Sequence, residues 1–226
     1  MNLENFNWGW MNNSEEGLVH KHHITFETFE HKMYEKVFEV EEGDIVLDIG
    51  ASVGSFTYSI LDKKPKHVYC IEPSEMEFPT LISNTVGYPV TPILKGISNT
   101  NTYTDIGHLY DDNTTKMEGI TFQKLIKLYN LEKIDFLKTD CEGGEYDIFN
   151  DDNIDYIKNN IKKIVGEWHL RSPELKEKFR NFRDKYLSQF NNIEVYSVDD
   201  FNIKWDLWND HFIEYYGEVL IYIDNR

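Results

Sequence analysis

The run Ile45-Val46-Leu47-Asp48-Ile49, followed by Gly50-Ala51-Ser52-Val53-Gly54, constrains the fold of this chain more than any other segment. Its first five residues show almost no polar–apolar alternation, the pattern of a strand covered on both faces in a parallel sheet. Glu42-Gly43-Asp44 interrupts the chain before it, and a helical pattern runs from Ser55 to Leu61 after it. Parallel strands need crossover connections, usually helices, so a strand–turn–helix unit of this kind points to an α/β sheet.

The rest of the chain repeats the alternation. Strands are expected at 67–71, 90–94, 134–139 and 161–168, with two closing strands at 193–198 and 218–223. Helices are expected at 28–40, where Phe29, Met33, Val37 and Val40 are spaced four, four and three apart, and at 121–129. Others start at Glu145 and run over 173–190, where Pro173 suits a first turn. Ser74 is expected to cap the helix after the second strand. Residues 99–119 are rich in Thr, Asn and Asp and read as an insertion with short antiparallel strands. The sum is a doubly wound parallel sheet with right-handed crossovers, in one domain of 226 residues with no linker or internal repeat.

The net charge of −17 repels nucleic-acid phosphates and anionic lipid headgroups, and the basic residues form only doublets such as Lys63-Lys64 and Lys162-Lys163. Neither a nucleic-acid nor a membrane partner is expected. No apolar run approaches the ~20 residues of a membrane span. Met1-Asn2-Leu3-Glu4-Asn5 lacks the basic and apolar regions of a signal peptide. Cys70 and Cys141 read as two reduced core thiols, so a cytoplasmic location is expected.

In open α/β sheets, ligands bind beyond the carboxyl ends of the strands. Asp48 and Gly50, Glu72, and Asp140 with Glu142 all fall at such ends. Gly50 permits a tight turn and close approach of a ligand to the backbone. A dinucleotide fingerprint would place glycines at 50, 52 and 55, but Ser52 and Ser55 stand at the last two and the second glycine is Gly54. That spacing fits a nucleoside-type ligand without a pyrophosphate. Glu72 lies 24 residues after Asp48, where an acidic side chain can accept from ribose hydroxyls. An NAD-dependent oxidoreductase is the competing reading, with Ser55 against it.

The segment from Glu42-Gly43-Asp44 through Asp48-Ile49-Gly50-Ala51-Ser52-Val53-Gly54 resembles motif I of class I methyltransferases, and more specifically the FkbM-like methyltransferase family. Further matches are Ile71-Glu72-Pro73, Gly119-Ile120-Thr121-Phe122, and Glu167-Trp168-His169. The most specific is Ile134-Asp135-Phe136-Leu137-Lys138-Thr139-Asp140-Cys141-Glu142-Gly143-Gly144-Glu145. The resemblance spans roughly 42–170. It departs at Ser52, where the family usually has Asn, and at Gly144, where it often has Ala. It implies a Rossmann-like, mostly parallel seven-stranded sheet with an antiparallel last strand. Residues 42–170 would form the cofactor-binding core, 1–40 an N-terminal extension or lid, and 171–226 a C-terminal helix and closing strands. It implies S-adenosyl-L-methionine as cofactor, held by Asp48, Gly50, Ala51, Ser52, Gly54, Glu72, Pro73, Ser98 and Asp140. The reaction implied is O-methylation of a sugar or glycoconjugate hydroxyl, so the partner would be a small-molecule or glycan acceptor.

A hydroxyl attacks well only as its proton leaves, and Asp140, Glu142 and His169 are the candidate bases. Asp140 is equally suited to hold the cofactor's ammonium. Glu142 and Glu145 have a bland alternative, as carboxylates favoured at a helix N-terminus. No metal is expected. His20-Lys21-His22-His23 reads as a flexible polar segment, and hard cations would suit Asp140 and Glu142, but the sequence shows no third ligand. Trp8, Trp10, Trp205 and Trp208 fit a sugar-stacking wall or plain core packing equally. A methyltransferase-like module that transfers nothing is the non-enzymatic alternative.

Overall fold

The computed structural model describes residues 3–108 and 111–226, with side chains described outside 103–108 and 111–116. The apolar run at 45–49 is strand β1 (Ile45–Ile49), which pairs in parallel with β2 (His67–Glu72) on one side. Beyond β2 lies β3 (Val90–Leu94), also parallel. A two-residue strand β4 (Gly96–Ile97) pairs with β6 (Asp111–Ile120), which pairs antiparallel with β5 (Tyr103–His108). The insertion therefore has the short antiparallel pair expected of it.

On its other side β1 pairs in parallel with β7 (Ile134–Thr139), and β7 with β8 (Ile161–His169). Last in the chain, β10 (Glu218–Asp224) inserts between β8 and β9 (Ile193–Ser197) and runs antiparallel to both. The order is β3-β2-β1-β7-β8-β10-β9, a seven-stranded sheet with one antiparallel strand.

Helices cover both faces, as a sheet buried on two sides requires. α1 (Glu15–Ile24) is capped by Ser14, whose side chain accepts from Gly17 N–H. α2 (Ser55–Ile60) follows the glycine turn, and α3 (Phe78–Thr85) follows β2. α4 (Phe122–Leu128) is capped by Thr121, and α5 (Glu145–Ile148) and α6 (Ile154–Asn160) lead into β8. α7 (Pro173–Asn181), with Ser172 as cap and Pro173 in its first turn, continues through wider and tighter turns to Gln189, so the long helix is observed. α8 (Asp210–Tyr215) precedes β10.

Two expectations need correction. Residues 28–40 are not one helix. α1 runs on through a wide turn, Thr25–Glu30; Lys32 then takes a left-handed conformation, and only Met33–Glu35 is helical again. A helix would have aligned Met33, Val37 and Val40. Instead the chain uncoils and buries Met33, Tyr34, Phe38 and Val40 against the sheet, leaving Val37 outside. Burial of each such side chain is worth about 1.5–3 kcal/mol and outweighs the local spacing. Ser74, the second case, caps a tight turn through Glu77 N–H, and α3 itself starts at Phe78.

The N-terminal aromatics are core. Phe6, Trp8 and Met11 pack with Val53, Tyr58 and Leu61, and Trp10 donates to Glu77. Trp205 and Trp208 are exposed. His20-Lys21-His22-His23 forms the end of α1, where the Lys21 ammonium complements the helix dipole, and His20 stacks on Trp10. Cys70 and Cys141 are free thiols. Among the described residues no helix is long and apolar enough to cross a membrane.

Candidate active site

Successive side chains of a strand point to opposite faces, so residues two apart share a face. On one face of this sheet the amino-terminal halves of the strands are apolar: Val46, Val68, Phe136, Val165 and, on the reversed β10, Tyr222 and Leu220. At the carboxyl edge the same face turns charged. Asp48 follows Val46, Glu72 follows Cys70, Lys138 follows Phe136, and Glu167 and His169 follow Val165. Glu218 precedes Leu220 and lies opposite His169 in the β8–β10 register. One edge of one face thus gathers the ionisable groups of five strands, in the place where α/β folds bind ligands.

The glycine turn begins there. Gly50 and Ala51 both donate backbone N–H to Ile71 O, which binds the turn to β2. Gly50 has φ +75°, and a Cβ on it would lie 1.7 Å from Asp140 O, so only glycine fits. Gly54 has φ +85° and lets α2 approach Leu81 of α3. Glu72 is buried, and each of its oxygens accepts a backbone N–H, from Ser52 and from Ser74, both at 2.7 Å. Burial, with Glu77 nearby, pushes its carboxyl up to about 8 against those two bonds. Pro73 is half-buried beside it.

Lys138 lies beneath the turn. Its Nζ donates to Gly50 O at 2.6 Å and is 3.3 Å from Asp48 Oδ1 and 3.9 Å from Asp140 Oδ2. Asp48 is fully buried, and its other oxygen accepts from Thr57. Burial would lower the Lys138 pKa, but Asp48 and Asp140 raise it above the usual lysine value. Tyr34, from the N-terminal segment, donates to Asp140 Oδ2 at 2.7 Å.

The loop from Asp140 to Glu145 is held by its own last residue. Buried Glu145 accepts Cys141 N–H at 2.7 Å and Gly143 N–H at 2.9 Å, and its Oε1 is 3.2 Å from His169 Nδ1. Its role is therefore wider than balancing a helix dipole. Glu142, at φ +55°, is exposed, with Oε2 3.4 Å from His169 Nε2 and 3.4 Å from Arg171. His169 is buried, and its Nε2 also lies 3.5 Å from Glu167 Oε1 and 3.9 Å from Asp140 Oδ1. Burial would lower its pKa; the Glu145 bond and the charges of Glu145, Glu142 and Asp140 lift it to about 10. Burial pushes Glu167 well above the carboxylate range and Glu27, from the N-terminal segment, to about 7.

The methyltransferase FkbM domain matches this chain over residues 48–196, from the end of β1 into β9, and so takes in both the glycine turn and the His169 cluster. The chain belongs to the FkbM methyltransferase family. No curated protein sequence matches it. Among solved structures it is similar to a putative rRNA-methylase from Clostridium thermocellum (TM-score 0.51, 12% identity, 91% of this chain and 96% of that one). It is also similar to the fibrillarin pre-rRNA processing protein of Methanococcus jannaschii (TM-score 0.50, 18% identity, 84% and 69%). At such identities these likenesses concern the fold, which is that of class I Rossmann-like methyltransferases.

The family's departures have local explanations. Ser52 has φ +49°, a conformation in which Asn is several-fold enriched over most residues, and Asn is the usual family residue. Gly144 leaves room for Cys141 Sγ, which a Cβ would meet at 2.9 Å. Of the expected cofactor residues, Asp48, Gly50, Ala51, Ser52, Gly54, Glu72 and Asp140 converge on the β1–β2–β7 edge. Ser98 follows β4, where its N–H donates to Ile120 O and its hydroxyl accepts from Thr100. Tyr34, Lys138, Glu167 and Glu218 join the site beyond the residues expected from the sequence. Lys138 did carry a signal: a lysine inside a buried central strand must find a counter-charge.

Proposed function

We propose that this FkbM-family protein is an S-adenosylmethionine-dependent O-methyltransferase acting on a hydroxyl of a sugar or glycoconjugate. The observation that carries it is the pairing of two half-sites on one sheet edge. A Cβ-free turn stands beside a buried carboxylate, and an exposed carboxylate stands beside a caged histidine. The first half fits the cofactor. Gly50 lets the turn close against Asp140, and each Glu72 oxygen has a second lone pair beyond the one given to Ser52 or Ser74 N–H. Glu72 would hold the ribose hydroxyls, and the turn from Gly50 to Gly54 would line the nucleoside. Asp140, whose backbone abuts Gly50, would take the ammonium. When bound, the cofactor supplies an electrophilic methyl group on a sulfonium.

Glu142 is the carboxylate presented to an incoming acceptor and is the base we assign, taking the hydroxyl proton within hydrogen-bond reach. His169 is fixed through Nδ1 by Glu145, with its Nε2 3.4 Å from Glu142 Oε2. Tyr34 and Lys138 hold Asp140, so the two halves keep their spacing, which is where positioning gains rate. The charge of −17 favours neutral or cationic acceptors over nucleic acid.

Calorimetry with S-adenosylhomocysteine tests the cofactor half. Binding is expected, and Glu72→Ala should weaken it by about 1–3 kcal/mol. Folded protein that binds none of it at high concentration would sink the proposal. Release of S-adenosylhomocysteine from a panel of hydroxylated acceptors, lost in Glu142→Gln, tests the transfer. Cofactor binding with no turnover on any acceptor would favour a non-catalytic module.

A further inference from the structure

His169 Nε2 is buried and has no hydrogen-bond partner, although it faces Glu142, Glu167 and Asp140 at 3.4, 3.5 and 3.9 Å. The ring cannot swing away, because Nδ1 is held by Glu145. One ligand atom each from Glu167, His169 and Glu218 lies within 4.8 Å of the others. We propose that the Nε2 edge of His169, with Glu167 of β8 and Glu218 of β10, is a binding site for a divalent first-row transition cation.

The spacing suits one. An octahedral ion with bonds of about 2.1 Å sets neighbouring ligand atoms about 3 Å apart and opposite ones about 4.2 Å apart. Separations of 3.5 Å and up to 4.8 Å need only small rotamer changes to reach those values. Carboxylate oxygens with one imidazole favour Mn2+ or Fe2+ over Ca2+ or Mg2+, whose preference is for oxygen alone. The Glu145 carboxylate on the far ring nitrogen is the partner that metal-bound histidines habitually have, fixing the ring so that Nε2 faces the ion once it has given up its proton to solvent. Arg171, paired with Glu218 and within 3.4 Å of Glu142, ties the mouth together from outside. Glu167 and His169 are two apart on a strand and Glu218 is cross-strand from His169, so sheet geometry alone holds the three on one face.

The site stands without the methyl-transfer reading; only its role, to hold the acceptor oxygen beside Glu142, rests on that reading. The test uses the full chain, stripped with a chelator and titrated with Mn2+, with free ion followed by its paramagnetic resonance signal. One Mn2+ per chain is expected. Glu167→Gln and Glu218→Gln should each weaken uptake at least about tenfold, and Glu174→Gln on the exposed face of α7 should not. Glu218 begins its strand near the surface, so its variant keeps the test sound if substitution of buried Glu167 impairs folding. Absence of uptake by folded protein at about 1 mM Mn2+ overturns the proposal. So does uptake indifferent to both variants, since it would be scattered binding to an acidic surface. Uptake without S-adenosylhomocysteine binding would support the cation site and defeat the methyltransferase proposal; the reverse would overturn the cation site alone.

Discussion

Replacing Lys138 with Met would leave Asp48 fully buried, with the Thr57 hydroxyl as its one side-chain hydrogen-bond partner among the described residues. The ammonium stands 3.3 Å from Asp48 and 3.9 Å from Asp140. At an effective dielectric constant of 20 these contacts are worth about 5 and 4 kcal/mol before desolvation. The second is discounted because Asp140 is partly exposed. Desolvating the ammonium takes back several kcal/mol, so the net gain of the pair is small. Removing one partner is another matter, because the stranded carboxylate keeps its desolvation penalty. Lys138→Met should therefore cost about 3–5 kcal/mol. Asp48→Asn should cost less, since Lys138 keeps Asp140 and the Gly50 carbonyl. The double variant should lose less than the two single losses summed, by about 1–3 kcal/mol. Urea denaturation followed by the fluorescence of buried Trp168 measures all three. A loss below about 1 kcal/mol in Lys138→Met, or strict additivity, would refute the pairing.

Gly50→Ala drives a Cβ into the Asp140 carbonyl, so the turn must move; we expect a loss of at least about 2 kcal/mol and of S-adenosylhomocysteine binding, both read in the same calorimeter. Ser52→Asn suits the left-handed backbone and should raise the urea midpoint, by about 0.5 kcal/mol in stability; a decrease would mean the hydroxyl matters more than the backbone. Glu72 and His169 both have folded pKa values raised above their unfolded ones, to about 8 and about 10. Each therefore contributes stability that is full below its unfolded pKa, near 4.5 and 6.5, and lost as pH rises through the folded value. Unfolding free energy in chelator-treated buffer should fall between pH 6 and pH 10, and a flat profile would contradict the burial of these groups.

The alternating pattern sufficed to place the strands of the main sheet, because buried parallel strands are apolar on both faces and stand out from polar connections. Glu72 and the 140–145 loop could be found because strand ends are where such folds bind ligands. The apolar spacing at 28–40 imitates a helix because it reflects burial against a sheet whose position no local pattern reveals. Tyr34 reaches Asp140 across 106 residues, and Glu218 meets His169 only through an antiparallel register. Neither contact leaves a mark on neighbouring residues. Glu167 sat in view two residues before His169, but its part depends on what the last strand brings opposite.

That last strand also dictates an order of events. β9 has β10 as its neighbour in the sheet, and β10 is made about twenty residues later. At roughly 5–20 residues per second, a growing chain carries β9 without a backbone partner for about 1–4 seconds. Until β10 slides in, the outer edge of β8 is unpaired as well, and Glu218 is missing from opposite His169. Tyr222, also on β10, donates to Met33 O and so fastens the N-terminal segment that carries Tyr34. Of the carboxylates around the histidine, Glu218 alone waits for β10; Asp140, Glu142, Glu145 and Glu167 precede it in the chain. Pulse-labelled hydrogen exchange during refolding should show amides of β8, β9 and β10 gaining protection in one phase, after those of β1, β2 and β7.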